Sequence, residues 1–168
     1  MSELHAHCDR QEWKAALALF AQPTPPTIEQ LLYKDEARQT ALQLACLNGT
    51  PLELISTTLE QAGEFLIELC MTKDLLSRGP VGAAACGHDD PAVHLALISA
   101  FPLTLVVYNS YTSAEDAADD AEAPSLAHEL AFATRRPAAV VSVLAGAFAA
   151  VIDGDYDALA TLVGGDAQ

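Results

Sequence analysis

Basic residues are scarce in this chain, and their scarcity is uneven. Eight Lys and Arg stand against 23 Asp and Glu, a net charge of -15. Every base lies at or before Arg136, and Asp153, Asp155, Asp157 and Asp166 follow with none among them. Such a chain repels phosphate backbones and anionic lipid surfaces, so nucleic acid and membrane are not expected as partners. Strand-forming runs are few, the best being the short Leu105-Val106-Val107-Tyr108. Cys8, Cys46, Cys70 and Cys86 form no C-x-x-C pair and no zinc-ribbon spacing. The Met1 end lacks a basic stretch followed by an apolar run, so no secretory leader is expected. Together these features predict free thiols in a reducing, intracellular and cytoplasmic setting. The uncharged run from Pro137 to Ile152 covers about 24 Å as a helix, short of a ~30 Å hydrocarbon core. A helix buried in the fold is its simpler reading.

Alanine is abundant and aromatics make up only 6% of the residues. That mixture suits closely approaching helices. Helix punctuation follows the chain closely. Asp9 with Glu12 predicts a start, and Trp13, Leu17 and Phe20 share one face of a helix from Arg10 to about Ala21. Pro23, Pro25 and Pro26 stop it, and Thr27 with Gln30 caps a short helix to about Leu32. Thr40 with Gln43 opens a helix ending at Gly49. Thr50-Pro51-Leu52-Glu53 then predicts a second helix, capped by Thr50 and closed by Gly63. The pair is repeated from Gly79-Pro80 through Ala85 and from Asp90-Pro91 to about Phe101. A third copy starts near Ser125, turns at Arg135-Arg136-Pro137 and continues to Ile152, and Asp155 caps a last helix.

The repeat can be tested by register. A step of 39 lays Thr40-Ala41-Leu42 on Gly79-Pro80-Val81, Ala45 on Ala84, Leu54 on Val93 and Leu59 on Ile98. A step of 47 lays Ala84 on Ala131, Val93 on Val140 and Leu97 on Leu144, but puts Val81 on His128. The acidic stretch Ala114 to Glu122 absorbs the extra length as a solvated loop. Units of this size cannot bury their own apolar faces and gain a core by stacking.

Asp35-x-x-Arg38-x-Thr40-Ala41-Leu42-Gln43-Leu44-Ala45-Cys46-x-x-Gly49 resembles the ankyrin repeat, whose usual core is D-x-x-G-x-T-P-L-H-x-A-x-x-x-G. Leu52-Glu53-Leu54-Ile55 and Leu59 look like its second helix. Asp74 to Pro102 is a weaker copy, and the third is degenerate. Arg38 stands where the turn glycine would be, which predicts a shortened or lost finger. The expected fold is all-α, a short solenoid of stacked helix-turn-helix hairpins, ankyrin-like. Residues 1–8 are expected as a disordered N-terminus and 9–165 as one domain. Within it fall capping helices at 9–33, repeats at 35–63, 74–102 and 121–152, and a terminal helix at 155–163.

Catalytic constellations are weak. No G-x-x-x-x-G-K-[ST] or G-x-G-x-x-G occurs. His128-Glu129 begins a zinc-protease motif, but Phe132 occupies the second histidine's place. His5, His7 and Cys8 could ligate a metal, although a chain end is commonly disordered. His88-Asp89-Asp90 reads as a capped turn, and Cys46 and Cys86 as small core residues. No cofactor, no metal and no enzymatic activity are therefore expected. The resemblance implies a scaffold that binds another protein on its concave loop and short-helix face. The family's variable positions fall on Glu36, Gln39, Leu47 and Asn48, then Leu75, Leu76, Arg78 and Cys86, then Glu122, Ser125 and Thr134. The net charge suggests a partner with a basic surface. The competing reading is an acidic decoy that mimics nucleic acid and occupies a DNA- or RNA-binding protein. It would require a regular negative stripe along one face.

Overall fold

The computed structural model describes residues 2–76, 78–101 and 136–164, apart from the side chains of Val151, Ile152 and Val163. These residues are mostly helical, and no strand occurs among them. Eight helices precede residue 101: α1 (Glu3–Asp9), α2 (Trp13–Phe20), α3 (Ile28–Leu31), α4 (Ala41–Leu47), α5 (Leu52–Ala62), α6 (Leu66–Met71), α7 (Pro80–Gly87) and α8 (Pro91–Ala100). Then come α9 (Ala138–Ile152) and α10 (Tyr156–Gly164). Leu105–Tyr108, the acidic stretch to Glu122, and the start of the third copy lie outside the described residues.

Consecutive helices pair as α1 with α2, α4 with α5 and α7 with α8. The short members pack in a row, α1 on α4 and α4 on α7. The longer members form a second row, α2 on α5, α5 on α8 and α8 on α9. α10 closes against α8 and α9. The register of the sequence appears in the burial. Leu54, Val93 and Val140 are all buried, as are Leu97 with Leu144 and Ala45 with Ala84.

The N-terminal segment corrects an expectation. Residues 2–8 are not disordered but begin the first helical pair. Ser2 caps α1 by accepting the His5 N–H, and Leu4, His5 and Cys8 are buried. Leu4 repeats Leu42 and Val81, and Cys8 repeats Cys46 and Ala85. Apolar matching against α4, rather than position in the chain, decides its order. In consequence Asp9 ends α1 instead of capping α2, which begins at Trp13 behind Glu12. Gln11, at φ +59, makes the bend between the two helices.

Most other punctuation stands. Thr40 and Gln43 form a reciprocal capping box, Asp90 accepts the Ala92 N–H, and Asp155 accepts the Ala158 N–H. Thr50 does not cap α5: that helix begins one residue later, behind Pro51. Thr50 is instead buried, with its carbonyl held by His88. The link after α5 folds as a 3-10 turn, Gly63–Phe65, and then α6. In α9, Val140, Leu144, Ala147 and Phe148 face the core. Among the described residues no helix is long and apolar enough to cross a membrane.

Candidate functional site

Two tight turns precede the short helices. In the first, Asp35 N–H donates to the Gln39 carbonyl, while Asp35 Oδ1 accepts the Gln39 N–H at 2.7 Å. In the second, Asp74 N–H donates to the Arg78 carbonyl, and Asp74 Oδ1 accepts from the Leu76 and Arg78 N–H groups. The aspartate thus repeats its part at a step of 39. Arg38 keeps a tight turn, and no strand flanks it, as the shortened or lost finger expected from the missing glycine requires. It adopts φ +60, so the left-handed geometry survives with an arginine in place.

Each turn is held from the short helix before it. His5 Nε2 lies 3.1 Å from the Gln39 carbonyl, and Gln43 Nε2 donates to the Arg78 carbonyl at 2.7 Å and the Thr72 carbonyl at 3.1 Å. His5 also stacks edge-on against Tyr33. The turns are tied to one another as well. Leu75 N–H donates to the Ala37 carbonyl at 3.0 Å, and Gln39 Nε2 reaches Asp74 Oδ2. Arg78 binds Asp74 Oδ2 through both Nε and Nη2, at 2.9 and 2.7 Å. The outcome is a continuous edge on which Leu75 and Leu76 are 63% and 59% exposed.

The predicted positions therefore divide. Glu36, Gln39, Leu75, Leu76 and Arg78 come together on this edge. Glu36 is exposed, whereas Gln39 and Arg78 are half-buried and brace the turns. Leu47, Asn48 and Cys86 lie at the far ends of α4 and α7, about 10 Å away along the helix. Leu47 packs on the core, and Asn48 is the C-cap of α4. Cys86 is half-buried, its carbonyl accepting from Arg136 Nη2. Glu122, Ser125 and Thr134 lie outside the described residues, as does His128-Glu129. Sequence reasoning missed His5. The signal was present, because Ser2-x-x-His5 repeats Thr40-x-x-Gln43 at a step of 38.

Among the described residues, three of the thiols are buried and the histidines make hydrogen bonds within the fold. Burial pushes the Cys8 and Cys70 thiols up to about 12 and raises Cys46 further. A thiol so raised is a poor nucleophile near neutrality. His88 Nδ1 accepts the Asp90 N–H, so its Nε2–H donates to the Thr50 carbonyl at 2.7 Å. His94 Nε2 lies 3.1 Å from the His88 carbonyl. The His5, His7 and Cys8 trio is split, with His7 Nδ1 on Glu12 at 2.6 Å and His5 turned inward. Among the described residues no group of three His, Cys, Asp or Glu is placed to hold a metal ion. A shallow groove between α1 and the loop before α3, lined by Glu3, Leu19, Gln22 and Gln30, carries one ionisable side chain.

No family model, curated protein or solved structure matches the chain.

Proposed function

We propose that this chain is a protein-interaction module, a short solenoid of ankyrin-like helical hairpins that binds a partner along the edge of its turns. One observation carries the reading: Leu75 N–H on the Ala37 carbonyl makes consecutive turns a single braced edge, with two leucines facing out. Fully burying a leucine is worth about 1.5–3 kcal/mol, so a prearranged pair gives a partner substantial binding energy at little ordering cost. The two rows of helices and the repeated aspartate turns support the ankyrin-like part of the proposal. The partner would meet a mixed local charge, because Lys34, Asp35, Glu36 and Arg38 all belong to the first turn region. The chain's overall charge would steer it toward a partner with a basic surface.

Leu75→Ser/Leu76→Ser is the appropriate variant, since Gln39 and Arg78 hold the turns themselves. A protein captured from the source cell on the wild-type chain would be purified and titrated against both forms. The variant is expected to bind at least about tenfold more weakly, a loss of about 1.4 kcal/mol, with an unchanged helical spectrum. Equal affinities would remove the turn edge as the binding surface.

A further inference from the structure

We infer that the segment from Glu60 to Glu68 forms a second docking surface, separate from the turn edge, for a basic amphipathic peptide segment. The link between α5 and α6, like the turn edge, leaves large apolar side chains outside. Phe65 is 39% and Ile67 57% exposed, while Leu69 and Cys70, two and three positions after Ile67, are buried. Gly63, at φ +51, breaks α5 and lets the 3-10 turn carry Phe65 outward. α6 therefore anchors itself by one face and presents the other.

The surroundings of the two apolar groups are acidic. Glu60, Glu64 and Glu68 recur every fourth residue, and all three are exposed. No Lys or Arg occurs anywhere between Gln39 and Thr72. The Gln61 side chain reaches the Pro26 carbonyl, so the patch adjoins the α3 region, where Glu29 is also exposed. Four of the eight bases lie elsewhere in one group: Lys34, Arg38, Lys73 and Arg78 flank the two turns.

Charge selects the occupant. A second copy docking through this same patch would bring its own three glutamates against these, and an anionic lipid surface would be repelled in the same way. A helix with apolar side chains on one face and Lys or Arg beside them satisfies both parts of the patch. At physiological salt, fields decay within about 8 Å, so these local glutamates, rather than the net charge, decide which contacts form.

The test uses the full chain and a synthetic helical peptide with Leu and Phe on one face and Lys and Arg on the other. A control peptide carries Glu in place of every base. Binding is followed by anisotropy and by backbone amide chemical shifts. The basic peptide should shift amides of residues 60–68, and the acidic control should not bind. Glu60→Gln/Glu64→Gln/Glu68→Gln should weaken binding about tenfold and flatten its salt dependence. Phe65→Ser/Ile67→Ser should weaken it comparably, whereas Leu75→Ser/Leu76→Ser should leave it unchanged. Shifts centred on the turns, or spread over the chain with full affinity in the glutamine variant, would overturn the inference. So would self-association of the wild-type chain that Phe65→Ser/Ile67→Ser abolishes, since the occupant would then be a second copy.

Discussion

Gln43 is polar, fully buried and bonded on both ends of its amide. Its oxygen takes the Thr40 N–H, and its nitrogen serves the Thr72 and Arg78 carbonyls. Gln43→Ala should therefore cost about 2–4 kcal/mol in urea unfolding, because it strands buried backbone groups. Gln43→His should recover more than half of that loss, as His5 reaches the equivalent carbonyl one unit earlier. Arg38 tests the turn from the other side. At φ +60 it is strained relative to glycine, so Arg38→Gly should raise stability by about 0.5–1 kcal/mol. His94 gives a pH dependence. Burial lowers its pKa from the usual 6.5 with help from the Arg136 charge, and outweighs the hydrogen bond to the His88 carbonyl and the Asp90 carboxylate, which raise it. The unfolded imidazole thus takes up a proton more readily than the folded one. Stability is full above about pH 6.5 and declines as pH falls through that value toward the lowered folded pKa. The urea midpoint should drop between about pH 7.5 and 5.5, and His94→Gln should reduce its slope over that window. The Thr40–Gln43 box and the capping Asp90 were readable because capping is local chemistry. His5 shares that spacing behind Ser2, but the carbonyl it reaches is 34 residues away, and that partner no local pattern names.

At the scale of helices, the contact between α4 and α7 leaves no room for a side chain at Gly87. A Cβ there would stand 1.9 Å from the Leu47 carbonyl oxygen, and backbone cannot yield as a flexible side chain can. Gly87→Ala should cost about 3 kcal/mol by forcing the two helices apart. Gly146, inside α9, is the contrast. Its Cβ would meet Leu162 at 3.5 Å, an ordinary contact. Gly146→Ala should stabilise by about 0.5–1 kcal/mol through helix propensity alone, and paired thermal melts of both variants check the difference. Such distinctions were not legible in the sequence, where both glycines sit in Ala-rich runs. The paired helices themselves were, because Gly49, Gly63, Pro51 and Pro91 mark their limits. α1 was missed for want of a familiar N-terminal signal, and the Thr50 cap was displaced because His88 holds the Thr50 carbonyl in the buried junction between α5 and α7.

Across the whole molecule, a net charge of -15 opposes compactness by self-repulsion. Stability should accordingly rise as sodium chloride is added to about 0.5 M, where charge interactions are screened within a few ångströms. The spacing of the units was visible from residue identities, since Leu54, Val93 and Val140 recur at steps of 39 and 47 and share one buried environment. What the sequence could not reveal was the seam between units. The Leu75–Ala37 bond joins two backbone groups and the Gln43 side chain ends on the Arg78 backbone carbonyl, and since any residue possesses such groups no letter of the sequence marks where the seam forms. That seam is also what makes two separate turns the one continuous edge proposed to bind a partner. Amide hydrogen exchange read by NMR examines it directly. If the edge is braced as described, the Leu75, Arg78 and Gln39 amides exchange as slowly as those inside α4, and the Gln43 side-chain amide shows contacts to both Thr72 and Arg78. Exchange of all three at the rate of free turns, with no such contacts, would contradict the account.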